Sequence, residues 1–480
     1  MNTLINALKE ENNTAFTENG AVAKASTLNP IVDFFTLAPN CLQEPDKAVT
    51  AFKIAYAHDR RMALRTLLWS RDVRGGAGAR APYRACLRWL AEYDIEDSIR
   101  MVDRTSFIGR WDDLLSLFDP MDIRLEKTYS HVLSLIQVAL DNNDFLCAKW
   151  MPRKGKVAAL LAARLNHSPK SWRKTLVNIC SQNFLVETQM CSNEWNDIKY
   201  SAVPSVAFSR YKKAFSRHDE EGFAQFLSNV SSGKEEINSS VVFPHDIIRD
   251  YRSAGSQEQW NCLPNYLEGE NTGIVVADVS GSMDSLASGS VTNMDISISL
   301  AIYMAERARG PFKDHFITFS EHAEFVHIPS TLSLKEKVKI AKESQWDVNT
   351  NIQSVFNLIL NTALTHKIVQ KDMPKFITIV SDMQFDSCGR ETNLEVIRAK
   401  YAAANYQMPT LVFWNVAGYA SNKPATIKDP NIVLISGFSP AILKNVFTAS
   451  SFDVMKIFLN TVLNPRYDFE GCKVKVNNEI

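Results

Sequence analysis

The sequence predicts a two-part chain: an all-α module followed by a doubly wound α/β domain. Three observations predict it. Over residues 31–230 apolar side chains recur at three- and four-residue spacing, with no comparable run of β-branched strands. From Gly273 onward, short Ile/Val-rich runs alternate with helical patterns, as a mostly parallel sheet with helices on both faces requires. Between the two, residues 253–272 turn polar and place the boundary near Glu270. The expected division is an extended arm over 1–30, a helical module over 31–270, an α/β domain over 271–465 and a tail over 466–480.

Composition bounds the function. A chain of 480 residues can bury two or three ordinary cores, and 45% hydrophobic with 22% charged residues is the balance of a globular protein. Lysine plus arginine equals aspartate plus glutamate at 53 each, so no global field draws the chain to nucleic acid or membrane. A polyanion site must come from local clustering. The eight cysteines include no Cys-x-x-Cys pair, which supports neither zinc nor a disulfide framework and makes a reducing cytoplasm the expected compartment. The first ten residues lack the apolar run of a signal peptide, and no stretch reaches transmembrane length.

In chain order, residues 11–30 are polar with little periodicity and read as a loosely packed lead-in. Helices follow over 31–37, 48–70, 83–90, 98–105, 111–118, 128–140, 156–165, 170–184, 205–215 and 222–230. Helical pairs stacked side by side make a solenoid, although no strict repeat is present. The glycine segment Arg74-Gly75-Gly76-Ala77-Gly78 follows a helix rather than a strand, so it reads as a turn and not as a phosphate-cradling loop. In the second half, strands are expected at 274–277, 315–319, 324–328, 376–380, 411–416 and 432–435. Helices fall at 296–308, 335–342, 352–365, 394–405, 442–447 and 454–463.

Two features carry chemistry. The first is Asp278-Val-Ser280-Gly-Ser282 at the end of the strand that opens the α/β domain. Ligands of open α/β sheets collect outside the carboxyl ends of the strands, and three oxygen donors at alternate positions suit a hard cation such as Mg²⁺. The alternative is an ordinary Asp/Ser/Gly turn. Thr350, just before the helix at 352, and Asp382, at the end of the strand 376–380, stand where a second and third loop would add ligands. Thr350 could instead cap its helix and Asp382 could be a turn residue. No histidine recurs beside these loops as a base, so binding rather than catalysis is expected.

The second feature is a run of cations with no acid among them: Lys149, Arg153, Lys154, Lys156, Arg164, Lys170, Arg173 and Lys174, with Trp150 and Trp172 inside it. Cations with aromatics fit phosphate neutralisation and base stacking on single strands. A solvated helix face paired with acids elsewhere is the competing reading. Arg71, Arg74 and Arg80, around the glycine break, belong to a second basic group.

The Asp-x-Ser-x-Ser stretch resembles the metal-ion-dependent adhesion site of von Willebrand A domains, where Thr350 and Asp382 match the remaining ligand positions. Arg71-Asp72-Val73-Arg74-Gly75-Gly76-Ala77-Gly78 and Gly109-Arg110-Trp111-Asp112-Asp113-Leu114 resemble segments of TROVE modules, the helical repeats named for telomerase, Ro and vault proteins. A TROVE module followed by a von Willebrand A domain is the architecture of the Ro autoantigen family. Glu18-Asn-Gly-Ala21, Met190–Trp195, Val203–Val206, Phe215–Asp219, Phe243–His245 and Ser436–Pro440 are similar to a viral, bacterial and plant branch of that group.

The resemblance implies a HEAT-like, ring-forming helical module that binds noncoding or misfolded RNA, single strands entering a basic hole. A Rossmann-like domain holding Mg²⁺ through Asp278, Ser280, Ser282, Thr350 and Asp382 would help close the ring. A monomeric protein with no DNA specificity is expected. The alternative is an interaction adaptor whose metal captures an acidic residue of a protein partner.

Overall fold

The computed structural model describes residues 3–118, 125–182, 185–267, 273–343, 349–419, 422–447 and 452–469. Among the described residues up to Asn261 the elements are helical apart from a two-stranded hairpin, β1 (Thr14–Phe16) and β2 (Val22–Lys24). The second half holds a six-stranded sheet. Its strands are β3 (Gly273–Asp278), β6 (His315–Phe319), β7 (Ala323–His327), β8 (Phe376–Ser381), β9 (Thr410–Asn415) and β10 (Ile432–Ser436), with a small ribbon of β4 (Leu286–Ser288) and β5 (Val291–Thr292) beside it. The spatial order is β10-β9-β8-β3-β6-β7, all parallel except the edge strand β7. Strand order reverses at β3, so the crevice between the ends of β3 and β8 is the topological switch point.

The sheet follows from its residues. β8 is buried at all six positions and β10 at all five, which is why their sequences run apolar without alternation. The helix Asn293–Arg307 starts in a reciprocal capping box between Thr292 and Asp295 and packs against β3. Among the described residues no helix is long and apolar enough to cross a membrane.

The helical half differs from expectation in one split helix, four short unexpected helices and the lead-in. The helix expected over 48–70 is two, Pro45–His58 and Arg60–Arg71. Asp59 adopts an extended conformation, ends the first, and accepts from the Met62 amide to cap the second. The short helices Phe145–Trp150, Val186–Ser192, Pro244–Ile248 and Ser256–Asn261 were not expected, the last inside the stretch that reads as a polar connection. The lead-in is not a loose arm: a helix, Thr3–Glu11, precedes the β1–β2 hairpin, and the hairpin docks on the α/β half. Phe184, expected as a helix end, lies outside the described residues.

One apolar core runs through both halves, from Phe35 and Trp69 to Trp414 and Phe458, while residues 186–237 form a separate small cluster around Phe208, Phe215 and Phe223. The halves are also joined by polar contacts. The buried Asp72 carboxylate takes the Arg466 guanidinium and the Tyr467 hydroxyl, and Asn40 donates to the carbonyls of Asn415 (2.9 Å) and Ala417 (3.0 Å). The glycine turn has a steric reason: a Cβ on Gly76 would stand 2.0 Å from the Trp69 carbonyl oxygen, and Gly78 has a left-handed φ of +71°.

Candidate metal centre

Asp278 ends β3 and Asp382 directly follows β8, and the two strands are hydrogen-bonded neighbours. Both carboxylates, with Ser280 and Thr350, are fully buried, and Ser282 is half-buried on a short 3-10 turn, Gly281–Asp284. The Ser280 hydroxyl donates to Asp278 Oδ1 at 2.6 Å and lies 3.2 Å from the Ser282 hydroxyl. Ser381 Oγ donates to Asp278 Oδ2 at 2.5 Å. The Gln384 amide donates to Asp382 Oδ1 at 3.0 Å, which leaves Asp382 Oδ2 buried with no hydrogen-bond partner among the described residues.

Thr350 is tied to the third loop rather than capping its helix. The helix Ile352–Thr365 has Asn351 at its N-cap position and no side-chain cap bond. The Thr350 amide donates to Asp386 Oδ2 at 2.9 Å, and the Asp386 amide donates back to the Thr350 carbonyl, locking the second loop to the third. Asp347, in the same loop, lies outside the described residues.

Both carboxyls are held above the ordinary carboxylate range. Burial, and next the charge of Asp382, push the Asp278 carboxyl up to about 7 against the bonds from Ser280 and Ser381. Asp382 is also raised, first by burial; the charge of Glu18 adds to this, while the Gln384 amide and the nearby Ser282 hydroxyl oppose it. Among the described residues no three His, Cys, Asp or Glu side chains cluster as metal ligands, so the donor set is two carboxylates with hydroxyls. An orphaned, buried carboxylate oxygen in an all-oxygen cluster fits Mg²⁺.

Sequence reasoning missed several residues that build this site. Ser381 orients Asp278 and Asp386 holds Thr350; both lie within the loops already singled out. The hairpin supplies the rest. Thr17 Oγ1 donates to the Phe385 carbonyl (2.7 Å), Gln384 Oε1 accepts from the Glu18 amide (2.7 Å), and Asn19 Nδ2 donates to the Gln384 carbonyl (2.8 Å) and to Thr350 Oγ1 (3.4 Å). The only sequence signal for them was the Glu18–Ala21 pattern of the family resemblance.

The expected RNA-contact residues divide. Arg153, Lys154, Lys156, Arg164, Lys170, Arg173 and Lys174 are exposed around the helices Gly155–Arg164 and Pro169–Ser181. Lys149 is half-buried, 3.8 Å from Glu187, and Arg164 is 3.7 Å from Glu126. Arg74 is exposed, with Nη1 on the Phe107 carbonyl. Arg80 is half-buried near Asp113, and burial followed by the charges of Arg110 and Arg71 lowers its guanidinium to about 10.

Two expectations are corrected. Arg71 is fully buried, its guanidinium 2.6 Å from Asp113, so it ties the Arg71-Asp72 and Asp112-Asp113 segments together instead of meeting phosphate. Trp172 is buried with its indole N–H on the Pro152 carbonyl at 2.9 Å, which removes both ring faces from base stacking. Trp150 is half-buried under the Arg110 guanidinium, 3.7 Å from its ring centre.

Comparison with known proteins adds the following. A domain of unknown function (DUF7788) matches residues 272–468, and another domain of unknown function (DUF2828) matches residues 17–94 and 156–278. An uncharacterized protein, L728, of Acanthamoeba polyphaga mimivirus is 28% identical over 94% of this chain and 88% of its own length. The crystal structure of the Deinococcus radiodurans Ro (RSR) protein is 11% identical and covers 88% of this chain and 93% of its own, at a TM-score of 0.34. At that score the architecture rests on the chain's own elements: a helical region followed by an α/β domain with buried Asp and Ser side chains at its switch point.

Proposed function

We propose that this protein is a Ro-like ribonucleoprotein component that binds noncoding or misfolded RNA through its helical half and holds a divalent cation, Mg²⁺ by donor chemistry, in its α/β half. The observation that carries the RNA reading is the exposed run Lys154, Lys156, Lys170, Arg173 and Lys174. Among the described residues none of these has an acid within ion-pair distance. Unpaired cations are free to displace the counterions of a phosphate backbone. The cation would be held by Asp278, Ser280, Ser282, Thr350 and Asp382; when bound it supplies a positive charge between two buried carboxylates and a position for one further oxygen ligand.

The reading is of a monomeric, cytoplasmic binding protein and not of an enzyme. His315 stacks on His327 at 4.4 Å on the β6–β7 hairpin, and His245 is buried against Phe438, so each of these imidazoles has a packing role.

The test is binding of a structured RNA with a single-stranded end across a salt series, for the wild type and for Lys154→Glu with Lys156→Glu. Removing two phosphate contacts should lower the slope of log K against log salt by about 1.4. An unchanged slope and affinity would remove this surface from the interface. The adaptor reading predicts instead a protein partner that is lost on chelation and on Asp278→Ala.

A further inference from the structure

We propose that the cavity between the helical half and the loop after β9 binds one guanine base, held by the side-chain oxygens of Asn40 and Asn293. It stands apart from the cation cluster and from the basic helices.

The cavity has a volume of about 180 Å³ and is lined from both halves of the chain. Asn40, on the 3-10 turn Ala38–Asn40, and Asn293, the first residue of the helix Asn293–Arg307, are each more than nine-tenths buried. Both have a buried Oδ1 with no hydrogen-bond partner among the described residues. The other end of the Asn40 amide fixes its orientation. Nδ2 gives its two hydrogens to the carbonyls of Asn415 (2.9 Å) and Ala417 (3.0 Å), so the atom left over is an acceptor. Two buried acceptors without donors are a standing cost, which a ligand carrying N–H groups removes.

Charge and shape then narrow the ligand. An anion would face two bare oxygens. A cation would find no free acid in the wall, because Glu44 is already paired with Lys47. A neutral donor is left. Water supplies hydrogens too, but the wall also holds Ala287, Val416 and the half-buried Tyr419 ring, apolar surface that a flat ring covers and water does not. Guanine presents two neighbouring donors on one edge, the ring N1–H and the 2-amino group, whereas adenine and cytosine present one amino group and uracil one N–H. Lys47 and Glu44 at the rim offer a donor and an acceptor to the ribose.

Calorimetric titration of the full chain with guanosine, inosine and adenosine monophosphates tests this, beside a short RNA ending in guanosine and the same RNA ending in adenosine. Inosine monophosphate lacks only the 2-amino group, and it and the adenosine nucleotide should each bind at least about tenfold more weakly than the guanosine nucleotide. Asn293→Leu, which keeps the volume and loses the acceptor, should cost a similar factor. Ala287→Leu, which fills the cavity and leaves both asparagines in place, should abolish binding. Selective binding of the free nucleotide identifies a guanosine nucleotide as the occupant; selectivity seen only between the two RNAs identifies a terminal base. The proposal is overturned if guanosine binds in neither form, if it binds no better than its inosine and adenosine counterparts, or if both variants keep wild-type affinity. Tighter binding of N-acetylarginine amide than of any nucleotide overturns it as well, since the cavity would then take a guanidinium from a protein.

Discussion

Lys212 offers the most direct check on the physical reading of the helical half. Its ammonium is fully buried on the helix Ser205–His218 and among the described residues hydrogen-bonds only the Ser256 hydroxyl, at 2.6 Å. Burial lowers it from 10.5 to about 8; the charge of Asp250 opposes this, and Lys213 and Arg249 add to it. That difference corresponds to about 3 kcal/mol. Below the folded value the amine is charged in both states, so the native state carries the whole cost. Between about 8 and 10.5 the unfolded chain still holds the proton that the folded chain has released, so stability rises with pH across that window.

Lys212→Met removes the buried charge and keeps the volume. Ser256 still donates to the Asp250 carbonyl at 2.8 Å, so no donor is stranded and the loss of its bond from Lys212 costs about 1 kcal/mol. The variant should gain about 2 kcal/mol at neutral pH, and the gain should shrink toward pH 10. Urea denaturation followed by circular dichroism at about pH 7, 9 and 10 measures both. A variant less stable than wild type at neutral pH, or a gap that does not change with pH, would refute the reasoning.

Other outcomes follow from the same structure. Asp382→Ala relieves a buried, raised carboxylate, so the metal-free protein should melt higher than wild type and lose the rise in melting temperature that saturating Mg²⁺ gives, about 3 kcal/mol at a hundredfold excess over Kd. Asp72→Ala leaves Arg466 without its carboxylate at the contact between the halves and should cost about 3–5 kcal/mol, read by scanning calorimetry. Gly76→Ala forces a Cβ against the Trp69 carbonyl and should abolish soluble expression. Gly75→Ala meets the Asp72 side chain at 3.2 Å and should be milder.

The α/β half was legible because its strands are covered on both faces. A run such as Phe376-Ile-Thr-Ile-Val-Ser381 cannot be solvated as a strand, and its carboxyl end marks the loop where Asp382 stands. What stayed hidden depends on partners distant in sequence. Nothing local tells that Arg71 is neutralised by Asp113 or that Asp72 meets Arg466. Counting cations therefore mistook a buried brace for a contact surface. Trp172 could have been placed better, since it shares one face with Leu176 and Ile179 at helical spacing, the signature of a packed side chain. The hairpin is too short and polar to announce itself, because its hydrogen-bond partners are loop atoms more than three hundred residues away, at Thr350, Gln384 and Phe385.

That separation has a consequence for how the molecule assembles. Thr17 and its partner Phe385 are 368 residues apart, and Glu18 and Gln384 are 366 apart. At ribosomal speeds the hairpin waits on the order of tens of seconds before the loops that receive it exist. The strands after Gly273 emerge later and pair among themselves, so the crevice between β3 and β8 forms from late-made chain and is closed by the earliest. The third loop therefore reaches its final form only when the first-made segment meets late-made chain, so damage to the hairpin should be felt at the far end of the sequence.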